Sequence, residues 1–118
     1  MENKEFNEKL VASIPEMLKP YKEAMEWWDD EEQGTTIIVE DYLMPLVHKA
    51  IERKDEALLS EFATWLEGMV SLKDGIVDST IYVGVFEKAF FEGEIEELKP
   101  YFLKETNKMY ESISFPKR

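Results

Sequence analysis

This 118-residue chain has no cysteine and a single histidine, His48. Without cysteine there is no disulfide framework, no thiolate nucleophile and no cysteine-ligated metal. With one histidine, the general-base and transition-metal schemes that draw on imidazole have almost nothing to work with. Basic residues are scarce as well: 14 against 26 acids, for a net charge of −12. That charge repels phosphate backbones and anionic lipid surfaces, so neither nucleic acid nor a membrane is an expected partner. No apolar run approaches the roughly 20 residues that span a bilayer. The opening Met1-Glu2-Asn3-Lys4-Glu5-Phe6 lacks the apolar stretch of a secretory signal, and the expected location is the cytoplasm. No phosphate-cradling glycine loop, nucleophile elbow or basic patch occurs, and no cofactor is expected.

What the chain has in quantity is hydrophobic periodicity. Residues are 44% hydrophobic and 13% aromatic, enough for one core over residues 1–118. Asn3 suits the start of a short helix with Phe6, Leu10 and Val11 on one side. Ser13-Ile14-Pro15-Glu16 reads as a capping box, opening a helix with Met17, Leu18, Tyr21, Met25 and Trp28 on one face. Pro20 either kinks that helix or starts it. The run Asp29-Asp30-Glu31-Glu32-Gln33-Gly34 breaks the chain, because acids at a helix C-terminus oppose its dipole. The next segment, 37–53, carries Ile38, Tyr42, Leu46 and Ala50 in register, with Leu43, Val47 and Ile51 alongside, and Pro45 should bend it. Asp55 caps a helix over 55–72 with Leu58, Leu59, Phe62, Trp65, Leu66, Met69 and Val70 at helical spacing. Residues 76–91 are apolar nearly all round. Their β-branched first half is compatible with a strand, but the unbroken run to Phe91 favours a buried central helix ended by Gly93. A short helix over 94–99, stopped by Pro100, and a last one over 106–113 complete the reading. The prediction is an all-α domain of about six helices, either one irregular bundle or a short stack of antiparallel helix pairs.

Three constellations carry candidate chemistry. The spacing of Asp29, Glu31, Gln33, Gly34 and Glu40 matches the first, third, fifth, sixth and twelfth positions of a calcium-binding helix-loop-helix. Glu31 and Gln33 are each a methylene longer than the usual ligands, Thr36 stands where a loop-pairing apolar residue belongs, and no second loop exists. The alternative is a solvated acidic linker. Glu67 and Glu87 follow apolar pairs on helical faces, and Glu87 should be half-buried. They are either structural hydrogen-bond acceptors or an acid–base pair. Pro45 precedes His48 by three residues, so the Glu-x-x-His signature of a carboxylate-bridged metal centre is absent, and His48 reads as a partly exposed helix residue.

Trp27 and Trp28 stand directly before the acidic run. Adjacent helix positions point about 100° apart, so both rings are buried only if two faces are covered. Either both close the core edge, or one is an exposed anchor rimmed by Asp29, Asp30, Glu31 and Glu32. The second arrangement suits a basic protein partner, with the acids steering encounter and the indole binding. The leading expectation is therefore a non-catalytic protein-binding domain, and the alternatives are a calcium module or a carboxylate enzyme. Oligomeric state is left open.

Several stretches resemble a family of small, acidic, uncharacterised all-helical bacterial proteins, some associated with toxin–immunity loci. They are Ser13-Ile14-Pro15-Glu16, Leu58-Leu59-x-x-Phe62 running on to Leu66-Glu67, Val83-Gly84-Val85-Phe86-Glu87, and Lys104-Glu105-Thr106-Asn107-Lys108-Met109. The resemblance implies an all-α fold and an immunity-type role against a toxin. It carries no active-site residues.

Overall fold

The computed structural model describes residues 1–27 and 34–113. These form seven helices and no strand. Helix α1 is Asn3–Ser13, and α2 spans 15–27, opening as a 3-10 turn over Pro15–Met17. Helix α3 spans 35–53, α4 is Glu56–Val70, and α5 spans 75–91. A short α6 over 95–101 and a last helix α7, Lys104–Glu111, follow.

Local chemistry accounts for most boundaries. The Asp55 carboxylate accepts from Leu58 N at 3.1 Å and starts α4. Asp74 does the same for α5, accepting from Ile76 N at 2.9 Å and Val77 N at 3.2 Å. Gly93 at φ +76° closes α5, in the left-handed region that costs glycine nothing. Pro20 falls in the first turn of the α-helical part of α2, where its missing N–H would be unsatisfied anyway, so that helix runs through it.

The capping box at Ser13 does not form. Ser13 is the last residue of α1, and the next element begins beyond Ile14 without a side-chain cap. Leu18, placed on the buried face of α2 by periodicity, is exposed. The 3-10 turn ahead of it rotates the register, because three residues per turn replace 3.6. In α3 the stripe also shifts. Ile38, Val39, Leu43, Met44, Val47 and Ala50 are buried, while Tyr42, Leu46 and Ile51 only pack against the core's edge. The cause is a π turn over Val39–Leu43, which adds a residue to one turn just before Pro45. The helix therefore absorbs the proline by widening. A second π turn, Tyr82–Glu87, interrupts α5. The two lie against each other, with Gly84 facing Val39.

Helix α4, rather than α5, is the centre of the bundle: it packs against α1, α3, α5 and α7. Its Trp65 lies edge-on to Phe6, ring centroids 5.7 Å apart, and stacks on Phe62. A second aromatic group, Phe86 with Phe102 and Tyr110, joins α5 to the chain entering α7 and to α7 itself. Such contacts add about 0.5–1.5 kcal/mol per pair beyond area burial, and they hold a final helix whose composition is mostly polar.

Candidate functional site

Glu67, on α4, serves the fold. Its carboxylate accepts from Glu105 N and Thr106 N, each at 2.9 Å, and from Thr106 Oγ1 at 3.0 Å. It caps the N-terminus of α7 from 38 positions away in sequence. Burial pushes this carboxyl upward, but the three hydrogen bonds outweigh it, and the group sits below the ordinary glutamate range. The structural reading of Glu67 thus has a complete set of partners. Glu87 is half-buried, as its position between Val83 and Phe91 predicts.

His48 is partly exposed on α3, as expected, but its surroundings are specific. Nε2 lies 2.8 Å from Glu52 Oε1, one helical turn on. Nδ1 lies 2.5 Å from Glu94 Oε2, in the connection between α5 and α6. A neutral imidazole donates from one nitrogen only, whereas an imidazolium donates from both, so this contact set belongs to the charged form. The hydrogen bond and charge of Glu94 raise the His48 pKa above its ordinary value, with Glu52 assisting. The Glu94 side chain is 13% exposed, and burial lifts its own carboxyl above the glutamate range even against the pull of His48.

His48 and Glu94 line a cleft of about 460 Å³ with Pro45, Lys49, Lys88 and Glu92. The Lys88 ammonium pairs with Glu92 at 3.0 Å and also feels Asp41 and Glu40 across the helix pair. Periodicity could not have revealed this cleft. It needs residues 45–49 and 88–94 to meet, and the only sequence signal was a lone histidine one turn before a glutamate.

The sequence-predicted binding patch divides. Trp27, the last residue of α2, is 81% exposed. Glu23 and Glu26 on the same helix are exposed too. Trp28, Asp29, Asp30, Glu31 and Glu32 lie outside the described residues. Three of the calcium-loop positions, Asp29, Glu31 and Gln33, do so as well. Of the described positions, Gly34 is extended at ψ 149° and the others lie within α3. Gly34 has φ −61°, and the Thr35 carbonyl, the seventh loop position, accepts from Val39 N within α3. A calcium loop uses a sharp glycine turn and aims that oxygen at the ion. Among the described residues no helix is long and apolar enough to cross a membrane.

A family model described as Domain of unknown function (DUF7674) matches residues 7–115, and the chain belongs to that family. No curated protein and no solved structure matches it.

Proposed function

We propose that this member of the family is a stoichiometric protein-binding domain whose partner presents a basic surface. The observation that carries this reading is Trp27. An indole 81% exposed at the end of a helix is a large apolar surface left in water. Single exposed apolar residues are ordinary, but this one leads directly into Asp29-Asp30-Glu31-Glu32. Aromatic residues dominate interface hot spots, and complementary charge governs encounter rate and partner choice. The net charge of −12 supports the same partner chemistry. Glu67 and His48 support it indirectly, since their polar atoms are taken up by neighbouring groups of the fold.

The narrower form of the reading is an immunity-type inhibitor of a basic bacterial toxin. It rests on the resemblance set out above and on charge complementarity, and no catalytic step belongs to it. The tagged chain, used as bait in its source cell and against the products of neighbouring genes, identifies the partner. That partner is then titrated against wild type, Trp27→Ala, and the four-site variant Asp29→Lys, Asp30→Lys, Glu31→Lys, Glu32→Lys. Loss of the indole lowers affinity on the order of 30-fold, the equivalent of a 2 kcal/mol hot spot. Charge reversal slows association and flattens its salt dependence. A partner that binds both variants as it binds wild type overturns the proposal. A toxic activity that falls in proportion to added protein, ending at one equivalent, supports the inhibitor form.

A further inference from the structure

The α5–α6 connection is short and built on a glycine turn. Gly93 takes φ +76°, and the turn closes with Gly93 N donating to Phe90 O at 3.1 Å and Glu94 N to Ala89 O at 2.9 Å. Its neighbour across the cleft is α3, and His48 Nδ1 bonds Glu94 Oε2 across 46 positions of sequence. The second ring nitrogen is held by Glu52, so the ring cannot turn without losing a partner.

From this geometry we infer that His48 is a protonation-operated latch: its imidazolium, shared between Glu52 and Glu94, holds the α5–α6 connection against α3 and narrows the cleft, and loss of its proton frees the connection. A neutral imidazole has one N–H for two carboxylates. If that N–H stays on Nδ1, Glu94 keeps a hydrogen bond but loses its counter-charge; if Glu52 holds it, Glu94 is a largely buried carboxylate facing a ring lone pair. A charge in that position is costly until it reaches water or a new donor. The glycine turn lets the connection swing outward to supply the water.

Other charged groups also face this cleft. From α3 they are Lys49 and Glu52, from α5 Lys88 and Glu92, and from the connection Glu94, while Glu40 and Asp41 of α3 act on Lys88. The rise in the His48 pKa moves the release to higher pH than an ordinary histidine would give. The latch stands apart from the Trp27 reading, and either survives failure of the other.

The test is a pH titration by nuclear magnetic resonance. The chain has one histidine, so its imidazole signals need no assignment. The imidazole midpoint is expected above 6.5, the ordinary histidine value. As it titrates, the heteronuclear relaxation of the Gly93, Glu94 and Ile95 amides changes with the same midpoint, from ordered to mobile. In Glu94→Gln the imidazole midpoint drops toward the ordinary value. In His48→Gln those amides are mobile at every pH and show no step. Amides at 93–95 that stay ordered through the imidazole titration overturn the latch. So does a midpoint unmoved by Glu94→Gln. If Glu94→Gln fails to fold, the wild-type titration and His48→Gln decide the question alone.

Discussion

A Cβ built on Gly84 would lie 2.8 Å from Val39 Cγ1 and 3.1 Å from Val39 Cβ. The two residues belong to the π turns of α5 and α3, so the widened turn of each helix meets the other at a position with no side chain on one side. Glycine in mid-helix costs about 1 kcal/mol relative to alanine. The close approach is what that cost secures.

Gly84→Ala tests the balance. Alanine would recover roughly 1 kcal/mol of helix propensity and lose about 1–3 kcal/mol to overpacking. Valine is stiff at χ1, so its γ-methyl has little room to yield and the loss should dominate. Urea denaturation is expected to show Gly84→Ala less stable than wild type by up to about 2 kcal/mol. Adding Val39→Ala should remove most of that penalty, giving a non-additive cycle. A higher melting temperature for the single variant would contradict the packing described.

The Glu67 cap predicts an acid-side dependence. Because its folded pKa lies below the ordinary value, its stabilisation is present above the unfolded pKa and is lost as pH falls through the folded one. Glu67→Ala is expected to cost about 1–3 kcal/mol at pH 7, the range for losing a helix cap bonded through a charged group. Below about pH 4, where ordinary glutamates take up protons, the gap to wild type should close. Denaturation curves at pH 7 and pH 3 read both.

His48 predicts the opposite side. Its folded pKa is raised, so the stabilisation is complete below the unfolded value and disappears as pH rises through the folded one. The melting temperature of wild type should exceed that of His48→Gln at pH 6, and the two should converge on the alkaline side. A difference independent of pH would mean that packing, rather than charge, distinguishes the variants.

Trp27 and Trp65 should differ sharply. Trp65 is 2% exposed between Phe6 and Phe62, and Trp65→Ala should cost about 3–5 kcal/mol. Trp27→Ala should change stability by less than about 0.5 kcal/mol. Trp27→Phe should also remove a fluorescence component that acrylamide quenches readily. Quenching unchanged in that variant would mean the indole is covered in solution.

Fold class, the apolar faces of α1 and α4, the Asp55 cap and the Gly93 stop could all be read from residue order alone. Each is a short-range matter, set by which side chains lie three or four positions apart or beside an unsatisfied N–H. The same local signals mislead at Ser13 and Leu18. There a capping box and an apolar stripe compete with a 3-10 turn that no pattern of residue types announces. The shifted face of α3 is a similar case: Pro45 foretells a disturbance, but a π turn rather than a kink absorbs it. Three relationships have no local trace at all. Glu67 capping α7, His48 meeting Glu94 and Gly84 meeting Val39 join residues 38 or more positions apart. They depend on how helices cross, and crossing follows from which bulky and small side chains interlock once the core has closed. Periodicity selects helices and their buried sides; packing selects which charges and glycines those helices bring together.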